Sequence, residues 1–103
     1  MNSKERPDSV RILKSPKRGK KYAAIFSYNN SNRTKTIHFG AEGMSDFTKH
    51  KTPERKARYI NRHKKRENWN VPDTAGSLSR WILWNKPSFQ DSVSDYKRKF
   101  RLR

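Results

Sequence analysis

The sequence predicts an α+β fold: a two- or three-stranded antiparallel sheet in the N-terminal half, then about three helices in the C-terminal half. Three observations predict it. Apolar residues recur at every second position up to Gly40–Gly43 and at helical spacing beyond it. Helix-start chemistry, as in Thr52-Pro53-Glu54 and Ser88 with Asp91, is concentrated after that switch. Only 30% of the 103 residues are apolar, yet 12% are aromatic. Disordered chains rarely carry so many rings, so a thin core built on large side chains is expected.

Residues 1–9 read as a flexible basic arm, residues 10–100 as a single small domain and residues 101–103 as a basic tail. Within the domain, 10–43 is the β part and 52–100 the helical part. Val10–Leu13 reads as a short strand, followed by the turn Ser15-Pro16-Lys17-Arg18-Gly19. Lys21–Tyr28 is a stronger strand, with Tyr22, Ala24, Phe26 and Tyr28 on one face. Asn29-Asn30-Ser31-Asn32 suits a loop, because Asn tolerates left-handed backbone. Thr34–Phe39 is the partner strand, with Ile37 and Phe39 read on one face and Lys35 and His38 on the other. Gly40 and Gly43 are expected to end the sheet.

The first helix should open with Thr52 as capping hydroxyl, Pro53 at its first position and Glu54 in its first turn, and run to about Arg66. A second should run from Thr74 or Ala75 to Trp84, stopped by Asn85-Lys86-Pro87. Ser88 and Asp91 then frame a third, whose stripe Phe89, Val93, Tyr96 and Phe100 is core-facing. Phe26 or Tyr28, Phe39, Trp81, Phe89, Val93 and Tyr96 form the expected core.

Charge is the strongest compositional fact. Lys and Arg total 26 against nine Asp and Glu, a formal +17. It is spread through the chain: residues 1–51 carry 12 basic and 4 acidic side chains, residues 52–103 carry 14 and 5. A cationic body of this kind repels itself unless a polyanion neutralises it. Without cysteine, disulfides and thiolate metal sites are excluded. No secretory signal is visible, and the longest apolar run, Trp81–Trp84, is far short of the ~20 residues of a membrane-spanning helix. A soluble, non-secreted protein is expected.

The first helix carries the sharpest site. At 100° per residue Arg55, Arg58, Arg62 and Arg66 share about a quarter of the circumference, with Lys65 beside them. Ala57, Ile60 and the stem of Lys64 occupy the opposite side as an apolar seam. Tyr59 borders the ridge, placed to bond a phosphate or stack on a base. A charge run is ordinarily a solvated face. Here four like charges at one-turn spacing repel, and only Glu54 is in register to relieve Arg58, so a polyanion contact is the better reading. Lys97, Arg98, Lys99 and Arg101 supply secondary basic contacts. In the fully apolar turn 81–84, Trp81 is read as core. Leu83 and Trp84 are candidate partner contacts, Trp84 having an equal claim to pack beneath the Lys86-Pro87 turn.

Catalytic chemistry finds no footing. His38, His50 and His63 lack metal-ligand spacing, and His63 with Glu67 at i, i+4 reads as a surface pair. Asn61 and His63 are too close for a His-Asn-His nuclease. Asp91 and Asp95 suit helix-dipole roles. No phosphate loop or nucleophile elbow can be drawn. The expectation is a non-enzyme with no catalytic residue, cofactor, metal or small-molecule substrate.

One resemblance adds to this. The segments Ser45-Asp46-Phe47-Thr48-Lys49-His50-Lys51, Arg62-His63-Lys64-Lys65-Arg66-Glu67-Asn68-Trp69 and Leu78-Ser79-Arg80-Trp81-Ile82-Leu83-Trp84-Asn85-Lys86-Pro87 belong to a signature spanning about Lys21 to Phe100. It resembles a family of small uncharacterised basic proteins encoded by large double-stranded DNA viruses of algae and protists, and by some algae. The resemblance implies no transferable activity. It implies a virion setting, with host cytoplasm or nucleus during assembly. There a minor capsid component would dock on acidic capsid neighbours, anionic membrane or genome; the alternative is a nucleic-acid-binding protein for genome condensation, replication or transcription.

Overall fold

The computed structural model describes residues 6–28 and 32–103. The expected loop residues 29–31 and the first five residues of the expected arm lie outside the described residues. Three strands form the sheet, β1 (Ser9–Lys14), β2 (Lys20–Ser27) and β3 (Thr34–Ala41), in the order β1-β2-β3 with both pairings antiparallel. The alternation expected in β2 is present: Ala24, Phe26 and Tyr28 are buried, and Tyr22 packs against the same core. One assignment needs correction. Lys35 pairs with Phe26, Ile37 with Ala24 and Phe39 with Tyr22, so Lys35 shares the face of Ile37 and Phe39. A period of two places residues 35, 37 and 39 together, and the Lys35 ammonium reaches the Asp73 carboxylate at 3.5 Å.

Four helical segments follow: α1 (Phe47–His50), α2 (Pro53–His63), α3 (Ala75–Leu78) and α4 (Phe89–Phe100). The one-turn α1 was not foreseen; it is nucleated by Asp46, whose carboxylate accepts the Thr48 N–H at 3.0 Å. Pro53 and Glu54 open α2 as expected, but the Thr52 hydroxyl does not cap it; it donates to the His50 carbonyl instead. The Ser88 hydroxyl does cap α4, accepting from Asp91 N–H at 3.2 Å.

α3 continues into a π-helical turn, Ser79–Leu83, closed by Trp84 N–H on the Ser79 carbonyl at 3.0 Å. Widening the helix there turns the adjacent Ile82 and Leu83 both into the core, which is how four consecutive apolar residues are accommodated. Leu83 packs so closely under the sheet that a Cβ on Gly40, itself at φ +82°, would sit 3.0 Å from its Cδ1. Only glycine fits that crossing.

The core joins Val10, Phe26, Tyr28 and Phe39 to Leu78, Ile82, Leu83, Tyr96 and Phe100. Trp81, Phe89 and Val93, expected within it, are only partly buried at its margin. The expected basic tail is also corrected: Leu102 enters the core, and Arg103 bonds through its N–H to the Asp8 carbonyl and through its carbonyl to Val10 N–H. The described end of the expected flexible arm is tied down by the same bonds and by Asp8 N–H on the Ser27 carbonyl at 2.9 Å. Among the described residues, no helix is long and apolar enough to cross a membrane.

Candidate polyanion-binding site

One side of α2 faces the body of the protein and the other faces outward. Its inward residues are Lys56, Tyr59, Ile60 and His63, whereas Ala57, expected in the seam, is exposed. Tyr59 is 7% exposed. Its ring stacks nearly parallel on Trp84, centroids 4.4 Å apart, and on His63 at 4.3 Å. Lys56 bonds the Asn85 carbonyl at 2.6 Å and lies over the Phe47 ring. Burial, with Arg80 and Lys86 nearby, pulls that ammonium below the ordinary lysine range. Burial also pushes the Tyr59 phenol far above the usual tyrosine range, reinforced by Glu67 and opposed by Arg80 and Arg62.

This overturns the role expected for Tyr59. Its faces are taken by Trp84 and His63, so it fastens the helix and offers no stacking surface to a base. The ridge is also shorter than expected. Because α2 ends at His63, Lys65 and Arg66 lie in the following turn, where Arg66 N–H bonds the His63 carbonyl. Both remain exposed. What the helix itself presents is Arg55, Arg58 and Arg62, all exposed and without side-chain hydrogen bond or ion pair among the described residues.

The other expected sites divide. Leu83, a candidate partner contact, is 2% exposed and belongs to the core. Trp84 is half-buried between Tyr59 and His50 rather than beneath the Lys86-Pro87 turn. Among the secondary cations, Arg98 is paired with Asp95 at 2.9 Å, and Lys99 lies 4.2 Å over the Trp81 ring. Lys97 is partly buried, and Arg101 is exposed while its left-handed backbone terminates α4.

The histidines are engaged structurally. His38 Nδ1 lies 2.7 Å from the Ser15 hydroxyl, and His63 Nδ1 lies 2.7 Å from Glu67. His50 Nδ1 accepts the Thr52 N–H at 3.0 Å, while its Nε2 is buried without a partner. Burial and Arg55 lower the His50 pKa, with Asp46 opposing. No group of three or more His, Asp or Glu side chains among the described residues could hold a metal ion.

Beside the α2 row lies a cleft that sequence reasoning did not find. It measures about 390 Å³ and runs between α2, the π turn and the start of β2. Arg62, Lys20 and Lys21 line it together with the carboxylates of Asp46 and Glu67, and Tyr59, Trp84 and Ser79 also border it. Lys21 is held by the buried Asp46 carboxylate at 2.6 Å. That Arg62 and Lys20 border one cleft depends on how α2 docks against the sheet, which no local pattern encodes.

Residues 10–63 match a family of unknown function, DUF5754. The match covers the sheet, α1 and α2 and stops at the last residue of α2. No curated protein and no solved structure matches the chain. Since the matched segment is more than half of the 103 residues, the chain belongs to this family.

Proposed function

We propose that this family member is a non-enzymatic structural protein of a large double-stranded DNA virus, a minor capsid or virion component that docks on a polyanion through α2. The observation that carries the docking is the row Arg55, Arg58 and Arg62, exposed and unpaired among the described residues on a helix whose other side is fastened by the Tyr59–Trp84 stack. Charges held on a fixed helix lose less freedom on binding than charges on a mobile tail. Arginine also forks onto phosphate or carboxylate oxygens in pairs of hydrogen bonds. The viral setting is supported by the sequence resemblance, and a net +17 on 103 residues suits a part made to sit among acidic neighbours.

The test is the triple variant R55Q/R58Q/R62Q. These side chains contribute nothing to the core, so its melting transition should stay near that of the parent. On a DNA duplex its log–log salt slope should flatten by about 2–3 units, as expected for three lost phosphate contacts. Incorporation into particles should fail. A variant that keeps its salt slope and also assembles normally would reduce the row to a solvated face and overturn the proposal.

A further inference from the structure

β1 is an edge strand, paired with β2 on one side. Along an antiparallel pair, backbone groups face the partner at every second residue and the open edge at the residues between. Ser15 N–H reaches the Lys21 carbonyl, so Ser15, Leu13 and Arg11 face β2. Val10, Ile12 and Lys14 therefore direct their N–H and C=O groups outward. The start of this edge is already used: Val10 N–H donates to the Arg103 carbonyl at 2.9 Å, and Arg103 N–H donates to the Asp8 carbonyl at 3.0 Å. The edge thus accepts extended chain. Beyond Val10 no segment among the described residues continues the pairing, and the outward groups of Ile12 and Lys14 stay open.

Beside this open stretch lies a groove of about 340 Å³ between β1 and α4. Ile12, Phe89 and Val93 form its apolar lining, and Gln90, Ser94 and Lys97 its polar lining. A strand added to β1 would bring alternate side chains over this groove. Charge selects the strand. Arg11, Lys14 and Lys97 have no side-chain hydrogen bond or ion pair among the described residues. The carboxylates around them are outnumbered: Asp8 is paired with Arg103 at 2.9 Å, and Glu42 shares a hollow with Lys14, Lys20 and Lys49. On α4, Asp95 is paired with Arg98, and Asp91 lies about 120–160° around the helix from Val93 and Lys97. Basic side chains at a sheet edge ordinarily keep identical chains from pairing, and two copies at +17 each repel. The same charges attract an acidic strand. We propose that the open edge of β1 binds an extended acidic segment of a partner protein as a fourth strand, one apolar side chain of that segment entering the groove beside Phe89. This surface uses no residue of α2 and does not depend on docking there.

The test uses the full-length protein and a short peptide alternating aspartate with valine. Adding the peptide should slow amide exchange at Ile12 and Lys14. R55Q/R58Q/R62Q should keep that protection, which separates this surface from the α2 row. K14P deletes an outward N–H without removing a β1–β2 bond, and K14Q removes the charge alone. K14P should bind the peptide about fivefold more weakly than K14Q, the loss expected for one backbone hydrogen bond. The proposal is overturned if the peptide leaves Ile12 and Lys14 of the parent unprotected, if K14P and K14Q bind alike, or if a peptide with lysine in place of aspartate binds as tightly. Protection of Ile12 that rises with protein concentration in the absence of peptide would identify a second copy as the occupant and overturn the acidic assignment.

Discussion

The sheet with α4 and the segment α2 solve the same problem, staying attached to a small core, in opposite ways. The sheet and α4 interlock through Phe26, Phe39, Tyr96 and Phe100, with Leu78 and Ile82 completing the contact. α2 spans eleven residues and buries one side chain, Tyr59. Its hold on the body includes a parallel stack on Trp84, the Lys56 bond to the Asn85 carbonyl and the same ammonium over the Phe47 ring. A helix with so narrow an attachment leaves most of its circumference free for charge. In a chain with little apolar material, the economical arrangement concentrates burial in one part and presents cations from another.

That contrast can be broken by experiment. Phe26→Ala should have the largest effect, about 3–5 kcal/mol lost, with the whole domain melting earlier because Phe26 is fully buried. Trp84→Ala should cost less, about 2–3 kcal/mol, and act locally. Amide exchange should accelerate across residues 54–63 while β2 stays protected. Equal loss of protection in both segments would show that they unfold as one unit, and the contrast would fail.

The smallest effect concerns pH. His50, at the joint between α1 and α2, has its folded pKa held below the ordinary 6.5. The unfolded chain therefore takes up the proton first. Stability from this group is present above about pH 6.5 and is lost as pH falls from there through the lowered folded value. Protonation also puts a donor on Nδ1 facing the Thr52 N–H, removing that bond. His50→Asn keeps an acceptor without the titration and should flatten this part of the stability–pH curve. An unchanged slope between parent and variant would place the acid sensitivity elsewhere.

The elements written in local pattern were legible. Alternation in Lys21–Tyr28, the Pro53-Glu54 opening of α2 and the Ser88–Asp91 frame of α4 all depend on neighbours in sequence, and the structure has them. α1 escaped because four residues carry no period, and its signal, Asp46 accepting from Thr48, is short and common. The end of α2 escaped because the run of basic residues from Arg62 to Arg66 contains no helix breaker. At the site, the Arg55–Arg58–Arg62 row follows from helical geometry alone. The fate of Tyr59 does not: an aromatic beside a charge row reads as exposed until the partner ring is known, and Trp84 lies 25 positions away in sequence. The cleft was invisible for the same reason, since Arg62 and Lys20 come to border one space only after α2 has docked.

The bonds between Arg103 and residues 8 and 10 also have a mechanical meaning. Arg103 N–H reaches the Asp8 carbonyl and Val10 N–H reaches the Arg103 carbonyl, each at 2.9–3.0 Å, which is the pattern of two segments running in the same direction. A pull separating residue 8 from residue 103 would slide these segments past each other. Both bonds, and the Arg103–Asp8 ion pair beside them, would be loaded at once and in shear rather than peeled one after another. Force applied between residues 8 and 103 would therefore load that clasp as a unit.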